Sequence, residues 1–383
     1  MKDIVFYIHR TGLLGYFVNP LCSFLKDKYR ITVLHLDKCN GYSSRKSGDY
    51  KSIDISDYSI ERIRQTLKEI NPKVVILVGF ISIYEMLMLR IATDLQLKTI
   101  YLEHGIYSKN ISSLPWKKLR TKFWSTLTKN LFFLRQYGNF IKLASNPTFE
   151  ILLFKQCVMK KNYRNSRFSK ALFLSEYGNK QTNKFFQYDQ KNVDFTCYPL
   201  AYDNAEFDEF ERIARMPLSK SKKAIWIHQP FILDGLVTWG YDTEKDYMVG
   251  MAKKIREYGY ELTMLIHPRE SKDRYEKLYE NCNINIEQNI NCKTYKDYSL
   301  VIGHYSTALL YPVFLHIPIL VVDYGEKIKA ADSIFYPLSC HLPIVDFSQM
   351  NQKYTNFSRE YIGMSKCSFE NIAYVLDKNI LLV

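Results

Sequence analysis

The sequence lacks long apolar runs and paired cysteines, which excludes several large classes of protein. No apolar run reaches the roughly 18 residues that a membrane-spanning helix needs. The first residues predict a strand rather than an export signal, so we expect a cytoplasmic protein. The eight cysteines are scattered and form no C-x-x-C pair. This pattern predicts free thiols rather than a zinc site or a disulfide framework.

Several enzyme motifs are also missing. The chain has no Asp-x-Asp metal motif, no P-loop, no G-x-G-x-x-G fingerprint, no G-x-S-x-G elbow and no H-E-x-x-H pair. These absences argue against kinases, dinucleotide-dependent dehydrogenases, hydrolases and zinc proteases. A metal-independent transfer from a nucleotide-activated donor remains compatible with the sequence.

Acidic residues are almost missing from one segment, 106–170, which carries most of the net charge. It holds 14 lysines and arginines and one acid, Glu150, and so supplies +13 of the net charge of +14. Apolar residues at helical spacing from 116 to 134 predict an amphipathic helix. The candidate binding residues of this helix are Trp116, Lys117, Lys118 and Lys122.

Four interpretations of this basic segment remain open. It is a helix packed on the core with a solvated basic side, a surface for an anionic membrane, a groove for an acidic polysaccharide or, last, a nucleic-acid surface. No RNA-binding signature or helix-turn-helix pattern accompanies it, so we expect no nucleic-acid partner.

Strand-like and helix-like runs alternate in two series, which predicts an α/β fold with parallel sheets. The first series has strands at 3–9, 31–36, 73–78, 98–103 and 171–174, with helices at 12–28, 60–70 and 83–95. After a charged linker at 216–223, the second series has strands at 224–228, 262–267, 284–287, 300–303 and 317–322, with helices near 245–257, 271–280 and 306–315.

We therefore predict two doubly wound Rossmann-like domains that face each other across a cleft. The first, over 1–215, contains the basic segment and would bind the acceptor. The second, over 216–383, would bind a nucleotide sugar at the carboxyl ends of its strands.

Polar residues follow the predicted strands where such a cleft would place them. In the first series, Glu103 and His104 precede a glycine at a strand end, and both have the chemistry of a general base. The alternative is that one of them caps the next helix.

In the second series, a histidine and a hydroxyl pair stand at strand ends. His267-Pro268 follows one strand, and Ser306-Thr307 opens a helix where backbone N–H groups favour a phosphate. A buried histidine and a simple helix N-cap are the alternatives. Together these residues predict a phosphate clamp.

Three further strand-end residues are also candidates for nucleotide binding. Glu287 has the chemistry to bind ribose hydroxyls, or is a surface carboxylate. His228 and Gln229 end the first strand of the second series and are predicted to face the cleft.

The order of Glu103-His104-Gly105, Ile227-His228-Gln229-Pro230-Phe231, His267-Pro268 and Ser306-Thr307 resembles the signature of bacterial sialyltransferases and polysialyltransferases. That signature is an acidic pair before glycine, then His-Pro, then Ser-Ser or Ser-Thr. The resemblance implies the GT-B fold, a CMP-sialic acid donor and inversion at the anomeric carbon without a metal or other cofactor.

On the matching positions, the resemblance implies that Glu103 is the general base. It also implies that His267 is catalytic, because it would bind the phosphate of CMP and help to expel it, with Ser306 and Thr307 on the same phosphate. The expected acceptor is a hydroxyl of an anionic bacterial surface glycan, capsule or lipooligosaccharide. The protein would then act in the cytoplasm, peripherally on the inner face of the cell membrane.

The chain departs from this signature at His104, where the group has its second acid. A related nonulosonic acid or Kdo, also carried on CMP, is therefore an alternative donor. CDP-glycerol-dependent glycerophosphotransferases of teichoic acid are also similar, because they have a His-Gly turn, a His-Pro and a serine-rich helix start. A catalytically inactive glycan-binding protein of the same fold is the third alternative.

Overall fold

A computed structural model describes residues 1–8, 13–36, 49–55, 58, 60–79, 83–105, 168–183, 188–233, 237–291, 293–325, 328–344, 350–363 and 366–383. The described residues form two compact units. Unit 1 comprises those up to 105, those from 168 to 204 and those from 360 to 383, and unit 2 those from 205 to 359. All but the last three residues of the basic segment, and with them Trp116, Lys117, Lys118 and Lys122, lie outside the described residues.

Unit 1 is built on a seven-stranded parallel sheet. Its strands are β1 (Lys2–Ile8), β2 (Tyr29–His35), β3 (Lys51–Asp54), β4 (Val74–Val78), β5 (Lys98–Leu102), β6 (Lys170–Phe173) and β7 (Val193–Phe195). They lie in the order β3-β2-β1-β4-β5-β6-β7. The central strands are almost wholly buried, as expected of runs of Val, Ile and Leu that are covered on both faces.

Unit 2 is built on a five-stranded parallel sheet. Its strands are β8 (Lys223–Ile227), β9 (Glu261–Leu265), β10 (Asn285–Glu287), β11 (Leu300–Gly303) and β12 (Ile319–Val321). They lie in the order β10-β9-β8-β11-β12. The chain runs outward from β8 to β10 and then returns to the other side of β8. The topological switch point, where open α/β sheets bind ligands, therefore lies between β8 and β11.

The described helices flank these strands along the chain. They are α1 (Asn19–Leu25), α2 (Ile60–Ile70), α3 (Ile83–Asp94), α4 (Glu176–Asn183), α5 (Asn204–Ala214), α6 (Tyr241–Glu257), α7 (Lys272–Leu278), α8 (Leu310–Phe314), α9 (Asn351–Tyr361) and α10 (Phe369–Leu382). A π-helical turn, Leu14–Val18, leads directly into α1. None of the helices in the described ranges is long and apolar enough to cross a membrane.

Each unit has its own apolar core. In unit 1, side chains two residues apart on neighbouring strands pack against α2 and α3, and the cluster includes Val5, Tyr7, Val75, Leu77, Ile63, Leu67, Met88 and Ile91. In unit 2, the corresponding cluster joins the sheet to α6 and α7 and includes Trp226, Met248, Met264, Tyr275 and Ile302. The five cysteines in the described ranges are free thiols, and four of them are buried.

The structure confirms the predicted α/β class with two Rossmann-like parallel sheets. The boundaries of the compact units differ from the predicted split at 215/216, because the last helix returns to unit 1. There Asp377 of α10 accepts hydrogen bonds from Lys28 Nζ (2.6 Å) and from the hydroxyl of Tyr29 (2.7 Å). The edge strands β3 and β7 and the helices α4, α5, α9 and α10 were not predicted.

Candidate functional site

Glu103 follows β5 directly, and its carboxyl group is buried in unit 1, with 1% of the residue exposed. Its Oε2 accepts a hydrogen bond from the backbone N–H of Leu174 at 2.9 Å. Its Oε1 has no hydrogen-bond partner among the described residues. Burial raises the pKa of Glu103 from 4.5 to about 8, and the Leu174 N–H offsets part of this rise. Such a carboxyl group titrates near neutral pH, where a general base is most effective.

The first turn of α4 encloses this carboxyl group. A Cβ placed on Gly178 would lie 2.2 Å from Oε2 of Glu103 and 2.3 Å from Oε1, so no other residue type fits there without movement. The Gly178 N–H in turn donates to Oγ of the buried Ser175 at 3.3 Å. Gly178 thus allows the helix to approach the carboxylate closely enough to shield it from water.

His104 lies next to Glu103 in an apolar setting. It is buried, and its ring meets Phe17 edge-on with the ring centroids 6.2 Å apart. Phe17 also contacts Phe369 of α10. Unit 1 therefore brings both predicted acid–base residues to the end of β5, each largely removed from solvent.

In unit 2, the predicted donor-binding residues lie along the carboxyl edge of the sheet. The His228 N–H donates to the carbonyl of Leu265 at 2.9 Å, and the Ile266 N–H donates to the carbonyl of Glu287 at 2.8 Å. Three adjacent strand ends therefore place Glu287, His267 and His228 in a row. Ser306 follows the end of β11, on the other side of β8.

His267 is half-buried, and its tautomer follows from a local contact. Its Nδ1 accepts a hydrogen bond from the backbone N–H of Arg269 at 3.1 Å. An acceptor nitrogen carries no proton, so the ring proton lies on Nε2. The Nε2–H is the donor that a phosphate oxygen would need. Pro268 and Arg269 are exposed at this turn.

Ser306 caps the helical turn that follows it. Its Oγ accepts a hydrogen bond from the Ala308 N–H at 3.2 Å, so the N-cap interpretation is correct for this residue. The hydroxyl proton remains for a second acceptor, because the cap uses only the oxygen lone pair. Thr307 is exposed at the first position of the turn.

His228 is fully buried rather than open at a surface. Its Nε2 lies 3.0 Å from Oε1 of Glu244, a buried carboxylate on α6. The hydroxyl groups of Tyr275 and Tyr324 donate to the same carboxylate. Burial acts to raise the pKa of Glu244, but these three donors outweigh it and lower the pKa below 4.5. Glu244 is therefore ionised and holds His228 by its Nε2–H.

Gln229 and Glu287, the other two of these three candidates, lie at the same edge in different settings. Gln229 is half-buried, and its side-chain amide donates to the carbonyl of His228 at 3.3 Å. Glu287 is exposed, as a carboxylate that binds a ribose would be.

Several residues of these sites were not singled out from the sequence. Gly178, Glu244 and Tyr324 carry no local signal, because their partners lie far along the chain. Glu270 immediately follows the His-Pro-Arg turn, and it is buried with a pKa raised above 4.5 by burial, which the nearby His228 partly offsets. The only sequence signal for Glu270 is its position directly after His267-Pro268-Arg269.

Metal ligands do not cluster in the parts of the chain that the structure describes. No group of three or more His, Cys, Asp or Glu side chains there is arranged to hold a metal ion.

Comparisons with known proteins identify a fold but no family. Neither the protein-family models nor the curated proteins give a match to this sequence. The glycotransferase of kitacinnamycin has a TM-score of 0.51 at 9% identity, with 98% of each chain covered. A UDP-GlcNAc 2-epimerase from Methanocaldococcus jannaschii, in complex with UDP-GlcNAc and UDP, has a TM-score of 0.49 at 12% identity, covering 99% of this chain and 100% of that one.

The wall teichoic acid polymerase TagF has a TM-score of 0.47 at 11% identity, covering 100% of this chain and 89% of that one. The similarity to the glycotransferase shows the fold alone, which is the GT-B fold built from two Rossmann-like domains.

Proposed function

We propose that this chain is a metal-independent inverting glycosyltransferase. It would move sialic acid, a related nonulosonic acid or Kdo from a CMP-activated donor to a hydroxyl of a bacterial surface glycan. Glu103 would take the proton of the acceptor hydroxyl as its oxygen attacks the anomeric carbon. CMP would leave as the bond from that carbon to the phosphate oxygen breaks.

The buried carboxyl group of Glu103 is the observation that carries this proposal. With a pKa of about 8, it is a much stronger base than an ordinary glutamate with a pKa of 4.5. About a tenth of the molecules carry the ionised form at pH 7, which is enough for a base that reacts once per turnover. A glutamate without a functional role would only destabilise the fold at this position. The close approach that Gly178 allows to this carboxyl group supports a functional role.

The carboxyl edge of unit 2 supplies the groups that a departing phosphate needs. The Nε2–H of His267 and the hydroxyl proton of Ser306 are both hydrogen-bond donors, and Thr307 is exposed beside Ser306. Negative charge develops on the leaving phosphate in the transition state, and fixed donors stabilise that charge without a metal. Glu287 would bind the ribose hydroxyls.

The basic segment 106–170 is the proposed contact for polyanions. Its net charge of +13 fits a growing anionic glycan or the anionic inner leaflet of the cell membrane, where the protein would bind peripherally from the cytoplasm. Trp116, Lys117, Lys118 and Lys122 are the residues that we propose for this contact.

His104 favours a second candidate function, that of a CDP-glycerol-dependent glycerophosphotransferase. A His-Gly turn at this position is a feature that CDP-glycerol-dependent glycerophosphotransferases share, and the buried imidazole of His104 has the chemistry of a general base. In that case the transferred group would be glycerol phosphate, and CMP would again be the leaving group.

A nucleotide screen by thermal shift separates these candidates. A ligand that binds only the folded state stabilises it by about 2.7 kcal/mol at a concentration of 100 times Kd. We expect CMP to raise Tm more than CDP, UDP or GDP, and His267→Ala to reduce the CMP shift. His341→Ala, which removes an exposed histidine of the same unit, is the control.

Any other order of stabilisation by the four nucleotides argues against the proposed glycosyltransferase. A preference for CDP would favour the glycerophosphotransferase, and a preference for UDP or GDP would exclude both candidates. No shift with any nucleotide would favour a glycan-binding protein without catalysis.

A further inference from the structure

A lysine marks the start of every strand in the sheet of unit 1. Each one is the first residue of its strand or lies one or two positions before it. All the strands are parallel, so these lysines share the amino edge of the sheet. At a spacing of about 4.8 Å between strands, they form one row about 29 Å long. In the order of the strands from β3 to β7, these amino-edge lysines are Lys51, Lys28, Lys2, Lys73, Lys98, Lys170 and Lys191.

Most of this positive charge is not paired with an acid. Five of the seven lysines are exposed, and Lys73 and Lys170 are half-buried. Of the seven, Lys28 alone forms an ion pair with a described residue, Asp377, at 2.6 Å. The pKa of Lys73 is lowered from 10.5, first by burial and then by the positive charge of Lys2. The two cations are therefore close enough to repel each other.

The acids nearest to the row are held largely by further cations. Arg30 binds the carboxylate of Asp3 through two hydrogen bonds, of 2.9 and 2.6 Å, and Lys26 binds Asp49 at 3.0 Å. Three exposed acids adjoin the row in sequence or at the ends of its helices without an ion pair to one of its lysines, and they are Asp27, Glu69 and Asp189. Cations therefore outnumber acids along this edge.

The end of α10 adds exposed apolar side chains to the same edge. Lys73 Nζ donates to the carbonyl oxygen of Leu381 at 3.5 Å, which places the last turn of α10 beside the start of β4. Leu381 and Leu382 are 61% and 66% exposed. Tyr374, about two turns earlier on the same face of the helix, is 67% exposed. A single exposed leucine needs no explanation, but these two adjoin a row of cations.

Lysines beside exposed leucine and aromatic side chains are the composition of a surface that binds an anionic bilayer. Lipid phosphates attract the ammonium groups, and the apolar side chains enter the boundary between headgroups and acyl chains. An acidic glycan or another soluble polyanion would bind the lysines but would leave the leucines in water. A bilayer also extends far enough to contact a row that crosses all seven strands.

We propose that the amino edge of unit 1 binds an anionic bilayer, with the amino-edge lysines against the headgroups and with Leu381 and Leu382 inserted beneath them. This surface is distinct from the basic segment 106–170. It also lies opposite the candidate base, because Lys98 begins β5 and Glu103 follows its end. A bilayer at this edge leaves the carboxyl edge of unit 1 open to an acceptor. The proposal does not depend on the transfer reaction.

Vesicle sedimentation with the full chain tests this surface. The probes are vesicles of phosphatidylcholine alone and vesicles that contain about one third phosphatidylglycerol. The charge variant combines Lys2→Glu, Lys51→Glu and Lys98→Glu, all at exposed positions. The apolar variant combines Leu381→Ser with Leu382→Ser. Glutamine at the same three lysine positions is a milder version of the charge variant, which keeps the test valid if charge reversal impairs folding.

Matched controls lie at exposed positions of unit 2. Lys220→Glu, Lys253→Glu and Lys277→Glu together change the net charge as much as the charge variant does. Met216→Ser with Leu233→Ser removes two exposed apolar side chains, as the apolar variant does.

We expect the wild type to bind the anionic vesicles and to bind phosphatidylcholine alone far more weakly. Each lysine near an anionic leaflet strengthens binding roughly fivefold, so the charge variant should bind the anionic vesicles roughly a hundredfold more weakly. The apolar variant should lose roughly tenfold, because two leucines no longer leave water. Both controls should stay within about threefold of the wild type.

Equal weakening by the charge variant and its control would overturn the proposal, because net charge alone would then determine binding. A wild type that binds neither kind of vesicle would overturn it as well. If the charge variant weakens binding and the apolar variant does not, the partner is a soluble polyanion rather than a bilayer.

Transfer to a short soluble acceptor distinguishes this proposal from the proposed function. We expect normal transfer by the charge and apolar variants, since both lie at the edge opposite Glu103. Vesicle binding as expected, without transfer by the wild type, would contradict the proposed function alone. Transfer by the wild type, with vesicle binding that the variants leave unchanged, would contradict the bilayer surface alone.

Discussion

Gly178 and Glu103 lie so close that a Cβ on Gly178 would come within 2.2 Å of the carboxylate. The absence of a side chain at position 178 lets the first turn of α4 close over the carboxyl group. The resulting burial, with one backbone N–H from Leu174, sets the pKa of Glu103 at about 8. The chemistry of Glu103 is therefore determined by residues more than 70 positions away in the sequence.

The pH dependence of turnover follows from this pKa. We expect kcat/KM to rise with pH up to about 8 and then level off, because only the ionised form of Glu103 accepts the acceptor's proton. Initial rates measured from pH 5 to pH 10 would show this rise of kcat/KM. A rise of kcat/KM centred near pH 4.5 would instead show that the base is an ordinary solvated carboxyl group, and that the buried Glu103 is not the base.

A double-mutant cycle tests the close approach of Gly178. We expect Gly178→Ala to destabilise the protein by about 1–3 kcal/mol in urea unfolding, because the new methyl group overlaps the carboxylate. In a Glu103→Ala background, the same substitution should cost much less. Additive effects of the two substitutions would contradict the contact.

The strand ends that carry Glu103, His267 and Ser306 could be predicted because their strands are short runs of buried apolar residues. The edge strands β3 and β7 could not, since their burial patterns show no buried residue at all. Helix α4, with the sequence Glu-Tyr-Gly-Asn-Lys-Gln-Thr-Asn, lacks an apolar stripe and was missed for a similar reason.

The partners of the predicted residues were beyond the reach of sequence patterns. Gly178 meets Glu103, and Tyr324 meets Glu244, only because the fold brings distant segments together. His228 was expected to face a cleft, yet the strand end alone could not indicate that Glu244 would hold it in the interior. A pattern locates a strand end, whereas burial and partners depend on tertiary packing.

Glu244 is predicted to make stability depend on pH. Its folded pKa lies below the ordinary 4.5, so its stabilising contribution is present above about pH 4.5 and is lost as the pH falls through the folded pKa. We expect Glu244→Gln to lower the free energy of unfolding by about 3–5 kcal/mol at pH 7, because it breaks a buried charged contact.

Urea unfolding at pH 7 and at pH 4 measures this difference, which should shrink at the lower pH. Glu257→Gln, at the exposed end of the same helix, is the matched control and should change little. An equal loss for Glu244→Gln at both pH values would mean that its charge does not matter.

The basic segment yields a separate prediction. We expect the triple variant Lys117→Glu, Lys118→Glu and Lys122→Glu to bind anionic vesicles and long anionic acceptors more weakly, because its charge repels them. Reversal of the exposed Lys220, Lys253 and Lys277 changes the net charge equally and is the control.

Vesicle sedimentation and turnover on acceptors of different length distinguish the two roles. Release from vesicles with normal turnover on short soluble acceptors indicates a membrane surface. Loss of turnover on long acceptors indicates a groove for the glycan. If the variant and the control behave alike in both assays, the segment has neither role.

Transfer itself is the most direct test of the proposed function. The purified chain is incubated in EDTA with CMP-sialic acid and a labelled oligosaccharide acceptor, and both CMP release and the lengthened product are measured. We expect transfer by the wild type and by Glu176→Gln, an exposed control on α4, with a loss of roughly a hundredfold or more in Glu103→Gln. Undiminished transfer by Glu103→Gln, or consumption of CDP-glycerol but of no CMP-sugar, would contradict the account.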